Sequence, residues 1–391
     1  MHLIIILDGF GFEVVKRYKD SGGFKEFREP SKVIAPFPTL TDLCIQDLLQ
    51  GETCEGMEAV YFDREKGRLT GSTVDYLQFK NQPYSKILEF RSSSILDGLS
   101  YLAPWMTFGL ELKSLKRQCL NKSHDVFRAY LISTAGISTK YAADGQRRCL
   151  KQLDDFLMNA KAQLDGSLKV TLMSDHGHSY CASMLSPIVK VLKTKGWNFS
   201  TTLKNAKDLV YSSFGLVNYA NFATLNPQKL AIDLHDVPGV ELTSYLDGEA
   251  LMVLGHGSAM AKIRRKAKSC SYETITRDPL ALGPVLRNIA ELDGFYDDDD
   301  VLCATVDHAY PAPLERLWRA HHDLVKHPPD VIASLGNEWH SGSAFLNTFA
   351  TVKSTHGSLN RTNSTAFAMS TEDFFPPALR SREVMNYLKL S

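Results

Sequence analysis

Residues 174–178 read Ser-Asp-His-Gly-His and follow the apolar run Val170-Thr171-Leu172-Met173. That order delivers a carboxylate and an imidazole to the C-terminal end of what reads as a buried strand. Open α/β sheets hold their ligands at that edge. Asp175 and His176 are hard-to-borderline ligands that suit Zn2+ or Mn2+ better than a thiol-loving ion, and Gly177 lets the backbone turn sharply behind them. A second carboxylate, Asp8, closes the run Leu3-Ile4-Ile5-Ile6-Leu7, which is apolar on both faces as a central parallel strand must be. Asp8 and Gly9 are equally the pair expected at a plain turn. His356 lies in Thr355-His356-Gly357-Ser358, a small-residue stretch that gives a histidine no core to join, so a ligand role fits it better. A hydroxyl completes the set. Pro36 and Pro38 keep the chain extended before Thr39-Leu40-Thr41-Asp42, and the spacing of Leu43, Ile45, Leu48 and Leu49 up to Gly51 predicts a helix. Thr39 or Thr41 is then its N-cap or first-turn residue. Such a hydroxyl satisfies free N–H groups, and beside a metal it is also where an alkoxide nucleophile forms and a phosphate binds.

These side chains are far apart along the chain, so a sheet must gather them. Tyr130–Ser133 reads as a further strand, and Leu150, Leu153, Phe156 and Leu157 predict a helix within residues 145–162, just before the strand that ends at Asp175. Buried strands alternating with helices predict an α/β fold: a mostly parallel central sheet with helices on both faces. Residues 16–32 read as a polar surface loop, and residues 52–125 carry weak signals. After Asn205 the texture changes. Two β-like runs meet at Asp247-Gly248, a hairpin signal, and Lys262, Arg264, Arg265, Lys266 and Lys268 alternate as a solvated strand face. Residues 206–300 are therefore read as a smaller α+β subdomain inserted between core segments 1–205 and 301–391. Asp297–Asp300 reads as a solvated loop. Leu314–Val325 reads as a helix with Arg319, His321 and His322 on its surface, followed by a strand over residues 330–335.

Composition excludes some classes. Lys plus Arg and Asp plus Glu both number 44 in 391 residues, so no net field draws the chain to nucleic acid or to an anionic membrane. No stretch approaches the roughly 20 apolar residues of a membrane span. The amino-terminal apolar run is short and ends in an acid, so it reads as a first strand rather than a signal peptide. Seven cysteines without a Cys-x-x-Cys pair fit a reducing, cytoplasmic setting.

Four segments, IIILDGFG, FPTLTDL, SDHG and THGS followed by AFAMS, together resemble the alkaline phosphatase superfamily, and within it the type I phosphodiesterase/nucleotide pyrophosphatase branch. The likeness spans most of the chain outside residues 206–300. It implies a pair of divalent metals, usually zinc, that clamp the attacking and leaving oxygens of a phosphoryl transfer. By resemblance Asp8, Asp175 and His176 hold one metal beside the hydroxyl of Thr41, which is preferred to Thr39 as nucleophile, and His356 belongs to the other. The second site departs from the family pattern: Thr134 stands where an Asp is expected and Ser138 where a His is expected. Hydroxyls are feeble zinc ligands, so that site is expected to hold metal poorly or not at all; Asp144 has the wrong spacing to replace them. The expectation is a metal-dependent hydrolase of small phosphate esters with a threonine nucleophile, impaired by this loss. The alternative is an inactive domain that binds a phosphorylated ligand or a partner protein. The segment LDGFG is also similar to the first strand of cofactor-independent phosphoglycerate mutases, whose serine nucleophile has no counterpart here.

Overall fold

The computed structural model describes residues 1–121, 125–164, 168–343, 347–348 and 352–389. The runs that are apolar on both faces become the middle of a six-stranded sheet: β1 (His2–Leu7), β2 (Ser31–Ile34), β3 (Val126–Leu131), β4 (Lys169–Ser174), β5 (Thr365–Ser370) and β6 (Ala378–Arg380), in the order β6-β2-β5-β4-β1-β3. β1 lies parallel to both β3 and β4, with Leu7 opposite Leu131 on one side and Ser174 on the other. That register brings Asp8 and Asp175 to the same edge, each one residue beyond the end of its strand. β5 alone runs against its neighbours.

Both faces of this sheet are covered. Leu3, Ile5, Leu7, Phe127, Val170 and Leu172 pack with Val15, Phe108, Leu150 and Leu153, which come from α1 (Phe12–Asp20), α3 (Pro104–Asn121) and α4 (Ser133–Gln163). Ile4, Ile6, Tyr130 and Met173 pack on the other face with Ile45 and Leu48 of α2 (Thr41–Leu48) and with Val384. Each element hides a face of the sheet at about 25 cal/mol per Å2 of apolar area removed from water, which is why the alternation of strand and helix could be read in advance.

Several expectations are corrected. Residues 12–20 form a helix rather than the start of a loop, because Val14 and Val15 are buried between charged neighbours. The strand expected at 130–133 ends at Leu131, and the helix expected at 145 begins at Ser133, interrupted at Ala142 (φ 49°, ψ −141°). Asp297–Asp300 is a helix start: the Asp297 carboxylate accepts from the N–H groups of Asp299 and Asp300, and Asp298 pairs with Arg265 (2.6 Å). His321 is buried, its Nε2 2.8 Å from Ser244 Oγ, because a strand of the second sheet meets the helix α5 (Pro313–His322).

The second sheet has ten strands drawn from residues 198–335, wider than the 206–300 segment marked by sequence texture. Its strand Val331–Leu335 lies between Tyr219–Thr224 and Val240–Asp247, antiparallel to both. The Asp247-Gly248 hairpin joins Val240–Asp247 to Ala250–Gly255, with Gly248 at φ 56°. The basic run lies on the strand Ala259–Lys266 and the turn after it. Lys262 and Arg264 lie beside Glu273, and Arg265 pairs with Asp298.

Candidate active site

Asp8, Asp175 and His176 converge although 168 positions separate the first from the last. His176 Nε2 lies 3.8 Å from Asp8 Oδ1 and 3.3 Å from Asp175 Oδ2. Thr41, first residue of α2, joins them, its Oγ1 3.2 Å from His176 Nε2 and 3.5 Å from Asp8 Oδ2. All but Thr41 are fully buried.

Backbone groups orient each member. Asp175 Oδ1 accepts from the N–H of Gly9 (3.0 Å) and of His176 (2.9 Å), so the two strand ends hold each other. Tyr130 donates its hydroxyl to Asp8 Oδ2. His176 Nδ1 faces the carbonyl of Gly177 (2.8 Å), which only accepts; Nδ1 therefore carries the hydrogen and Nε2 is a bare lone pair. Three sets of lone pairs, on Asp8 Oδ1, Asp175 Oδ2 and His176 Nε2, thus face one another, and both carboxylate oxygens lack a hydrogen-bond partner.

Among the described residues no lysine or arginine pairs with either carboxylate. Burial, and then Asp175, holds the Asp8 carboxyl well above its usual range, and burial lifts Asp175 to about 7. Burial depresses His176 to about 4. Unpaired acceptors in a dry site are costly, and a divalent cation is the partner that satisfies all three at once. The residues therefore fit such an ion, and two carboxylates with an imidazole are donors that zinc accepts.

Thr39 is the other threonine of the motif, and the fold gives it a different task. It is fully buried, its Oγ1 accepts from Gly357 N–H (2.9 Å), and its carbonyl accepts from His356 Nδ1 (2.7 Å). His356 stacks on His176 with ring centroids 4.0 Å apart. Its imidazole lies outside the close group formed by Asp8, Asp175 and His176.

The second-site positions are occupied by a hydrogen-bond network. Thr134 Oγ1 accepts from Asp8 N–H (2.7 Å) and donates to the carbonyl of Leu131 (2.6 Å). Ser138 donates to the carbonyl of Thr134 (2.8 Å) and accepts from Gln146 Nε2 (2.8 Å), which also donates to the Gly9 carbonyl (2.6 Å). Tyr180 donates its hydroxyl to Gln146 Oε1 (3.0 Å) and accepts from Gly11 N–H (2.9 Å). Asp144 is exposed and paired with Arg147. With their hydroxyls engaged in this network, Thr134 and Ser138 offer neither a carboxylate nor an imidazole to a second ion.

No protein-family model matches the chain, and no curated protein matches it. Solved structures do. Human ectonucleotide pyrophosphatase/phosphodiesterase 5 aligns with a TM-score of 0.52 at 11% identity, over 98% of this chain and 92% of that one. The murine protein aligns with a TM-score of 0.51 at 10% identity over the same shares, and again as an inactive threonine-to-alanine form in complex with AMP. The chain has the fold of these phosphodiesterases. Within that fold, Asp8, Asp175 and His176 are gathered at the edge where the parallel strands β1 and β4 end.

Sequence reasoning missed Tyr130, Gln146, Tyr180 and His178. Tyr130 and Gln146 sit in apolar or polar runs that carry no motif. His178 was in view as the last residue of SDHGH, yet its place was not: it is fully buried with Nδ1 2.7 Å from Ser354 Oγ and Nε2 unpartnered, and a Cβ on Gly9 would lie 2.6 Å from its ring. The close approach of that ring is the reason residue 9 must be a glycine, with φ 73°.

Proposed function

We propose that this chain is a metal-dependent hydrolase of phosphate esters, of the phosphodiester type, with Thr41 as nucleophile and a single divalent ion, zinc by its donor set. The observation that carries this reading is the position of Thr41 Oγ1, within reach of both His176 Nε2 and Asp8 Oδ2. Asp8, Asp175 and His176 would hold the ion. When bound it supplies Lewis acidity, favouring the ionised hydroxyl and offsetting charge on the phosphate.

The chain's own residues do the rest. Thr41 is the first residue of α2, whose opening N–H groups have no intrahelical partner and point toward an anion at the helix N-terminus. The Thr41 oxygen forms the new bond to phosphorus as the ester oxygen leaves, and water then releases the phosphate from the threonine. His356, with Nδ1 committed to Thr39, keeps Nε2 as a proton acceptor beside His176. Tyr130 and the Gly9 N–H hold the two carboxylates in place. We assign the substrate to small phosphate esters. The seven cysteines are all free, which supports a reducing, cytoplasmic compartment; no helix among the described residues is long and apolar enough to cross a membrane.

The test is hydrolysis of bis(p-nitrophenyl) phosphate. Turnover should disappear with a chelator and in Thr41→Ala, and return in part in Thr41→Ser. Turnover unchanged in Thr41→Ala removes the proposal. One observation favours a second reading, an inactive domain that binds a phosphorylated ligand: Thr134 and Ser138 leave the far side of the phosphate without a metal. Losing such a charge clamp can raise a barrier by about 3–4 kcal/mol or more. Protein that binds no metal and shows no turnover with any divalent ion would establish that reading instead.

A further inference from the structure

A cavity of about 590 Å3 lies away from the metal-ligand group, where the loops after the strand Val331–Leu335 and before Val240–Asp247 meet the turn that leads into α5. That volume is in the range of small-molecule sites. Its walls carry Glu241, Glu338, His256, Tyr310 and Trp339, and no lysine or arginine. A phosphate would meet two carboxylates there and neither lysine nor arginine among the lining residues. Asn337 and Asn360, also in the wall, are taken up with each other: Asn360 Nδ2 donates to Asn337 Oδ1 (2.7 Å). The carboxylate of Glu241, half-buried on its strand, makes no hydrogen bond to a described residue, and Glu338 stands exposed at the mouth. The lining thus offers two carboxylates, the partly buried rings of Tyr310 and Trp339, each packed on one side against the core, and at the rim the imidazole of His256 edge-on to His235.

We propose that this cavity binds a compact organic cation, an ammonium group held between the Glu241 carboxylate and the faces of Tyr310 and Trp339. An aromatic ring attracts a cation through its quadrupole, more strongly where water is excluded, and a half-buried carboxylate adds a charge partner. Burial raises the Glu241 carboxyl above its usual range, and His256 at the rim offsets this only in part. A ligand cation supplies the compensation that the chain does not. Inside the wall, Asn363 donates from Nδ2 to Asn337 Oδ1 (3.0 Å), and its carbonyl accepts from Gly177 N–H (2.8 Å), beside His176. The site is nevertheless separate from the hydrolase reading, since none of its lining residues belongs to that centre.

The probe is tetramethylammonium, titrated calorimetrically into the full chain, with tert-butanol as a partner of similar size and no charge. To keep the outcome independent of hydrolysis, the titration is run on Thr41→Ala in the presence of chelator. Tetramethylammonium should bind saturably and at least about tenfold more tightly than tert-butanol. Glu241→Gln should weaken it by about tenfold, Tyr310→Leu several-fold, while Glu241→Asp retains much of the affinity. Hydrolysis by the otherwise native Glu241→Gln protein should be unchanged. Equal binding of the two probes, no binding of tetramethylammonium, or undiminished binding by Glu241→Gln would each overturn the proposal.

Discussion

Replacing Asp175 by asparagine should act with opposite signs on the metal-free and the metal-loaded protein. The carboxamide oxygen can keep the hydrogen bonds from Gly9 and His176 that Oδ1 now accepts, and its NH2 takes the place of Oδ2. That atom has no partner and lies within 4.8 Å of Asp8 and His176 donor atoms, so the new hydrogens face two waiting lone pairs. Burial raises the Asp175 carboxyl from 3.8 to about 7 in the folded chain. Three units at 1.36 kcal/mol each make this a cost of about 4 kcal/mol when the carboxyl is fully ionised. The sign follows from proton counting. Between pH 4 and 7 the folded state holds a proton that the unfolded state has released, so stability falls as pH rises through that window and the cost is complete above it. Sharing of charge with Asp8 makes the figure an upper bound, and about 2–4 kcal/mol is the expected gain for Asp175→Asn at pH 8 in chelator, shrinking toward zero at pH 4. With zinc at a thousand times its dissociation constant the native protein gains about 4 kcal/mol, and the variant loses that gain. Urea denaturation followed by the fluorescence of the four tryptophans, at both pH values with chelator and with zinc, reads all four quantities. A lower midpoint for Asp175→Asn in chelator at pH 8, or a difference independent of pH, would refute the argument that uncompensated lone pairs define this site.

Elemental analysis of protein purified without chelators should give one divalent metal per chain, because Thr134 and Ser138 spend their hydroxyls on backbone partners; a value of two would refute this. Arg316 is buried with no carboxylate of a described residue on its guanidinium, and donates to the carbonyls of Pro36, Pro311 and Leu359 and to Ser364 Oγ. Those contacts tie the segment before Thr41 to the one after His356. Arg316→Met should cost about 3–5 kcal/mol of stability through orphaned acceptors and lower kcat more than it raises KM, with Arg316→Lys recovering part; an unchanged melting temperature and kcat would count against a bracing role.

The helix Pro104–Asn121 shows why parts of the fold were hidden in the sequence. It exposes Met106 and Leu110 while burying Thr107 and Glu111, so its apolar stripe is blurred and no clear period survives. Glu111 is tolerated inside because Ser92 and Ser133 donate to it, and neither is near in sequence. His321 and Asp298 were misread for the same reason: their partners, Ser244 and Arg265, come from other strands.

What the sequence determined by itself is local. A run apolar on both faces must be covered on both faces, and an Asp or an Asp-His pair at its end must emerge at the sheet edge, which is why Asp8, Asp175, His176 and the first-turn Thr41 were legible one by one. What only the tertiary structure decided is which of these meet and what fills the remaining space. The parallel register of β1 and β4 sets Asp8 against Asp175, whereas Gln146 and Tyr180 close the second site from a helix and a loop. Contacts of that kind depend on the distance between segments after folding, and no period or spacing along the chain encodes that distance.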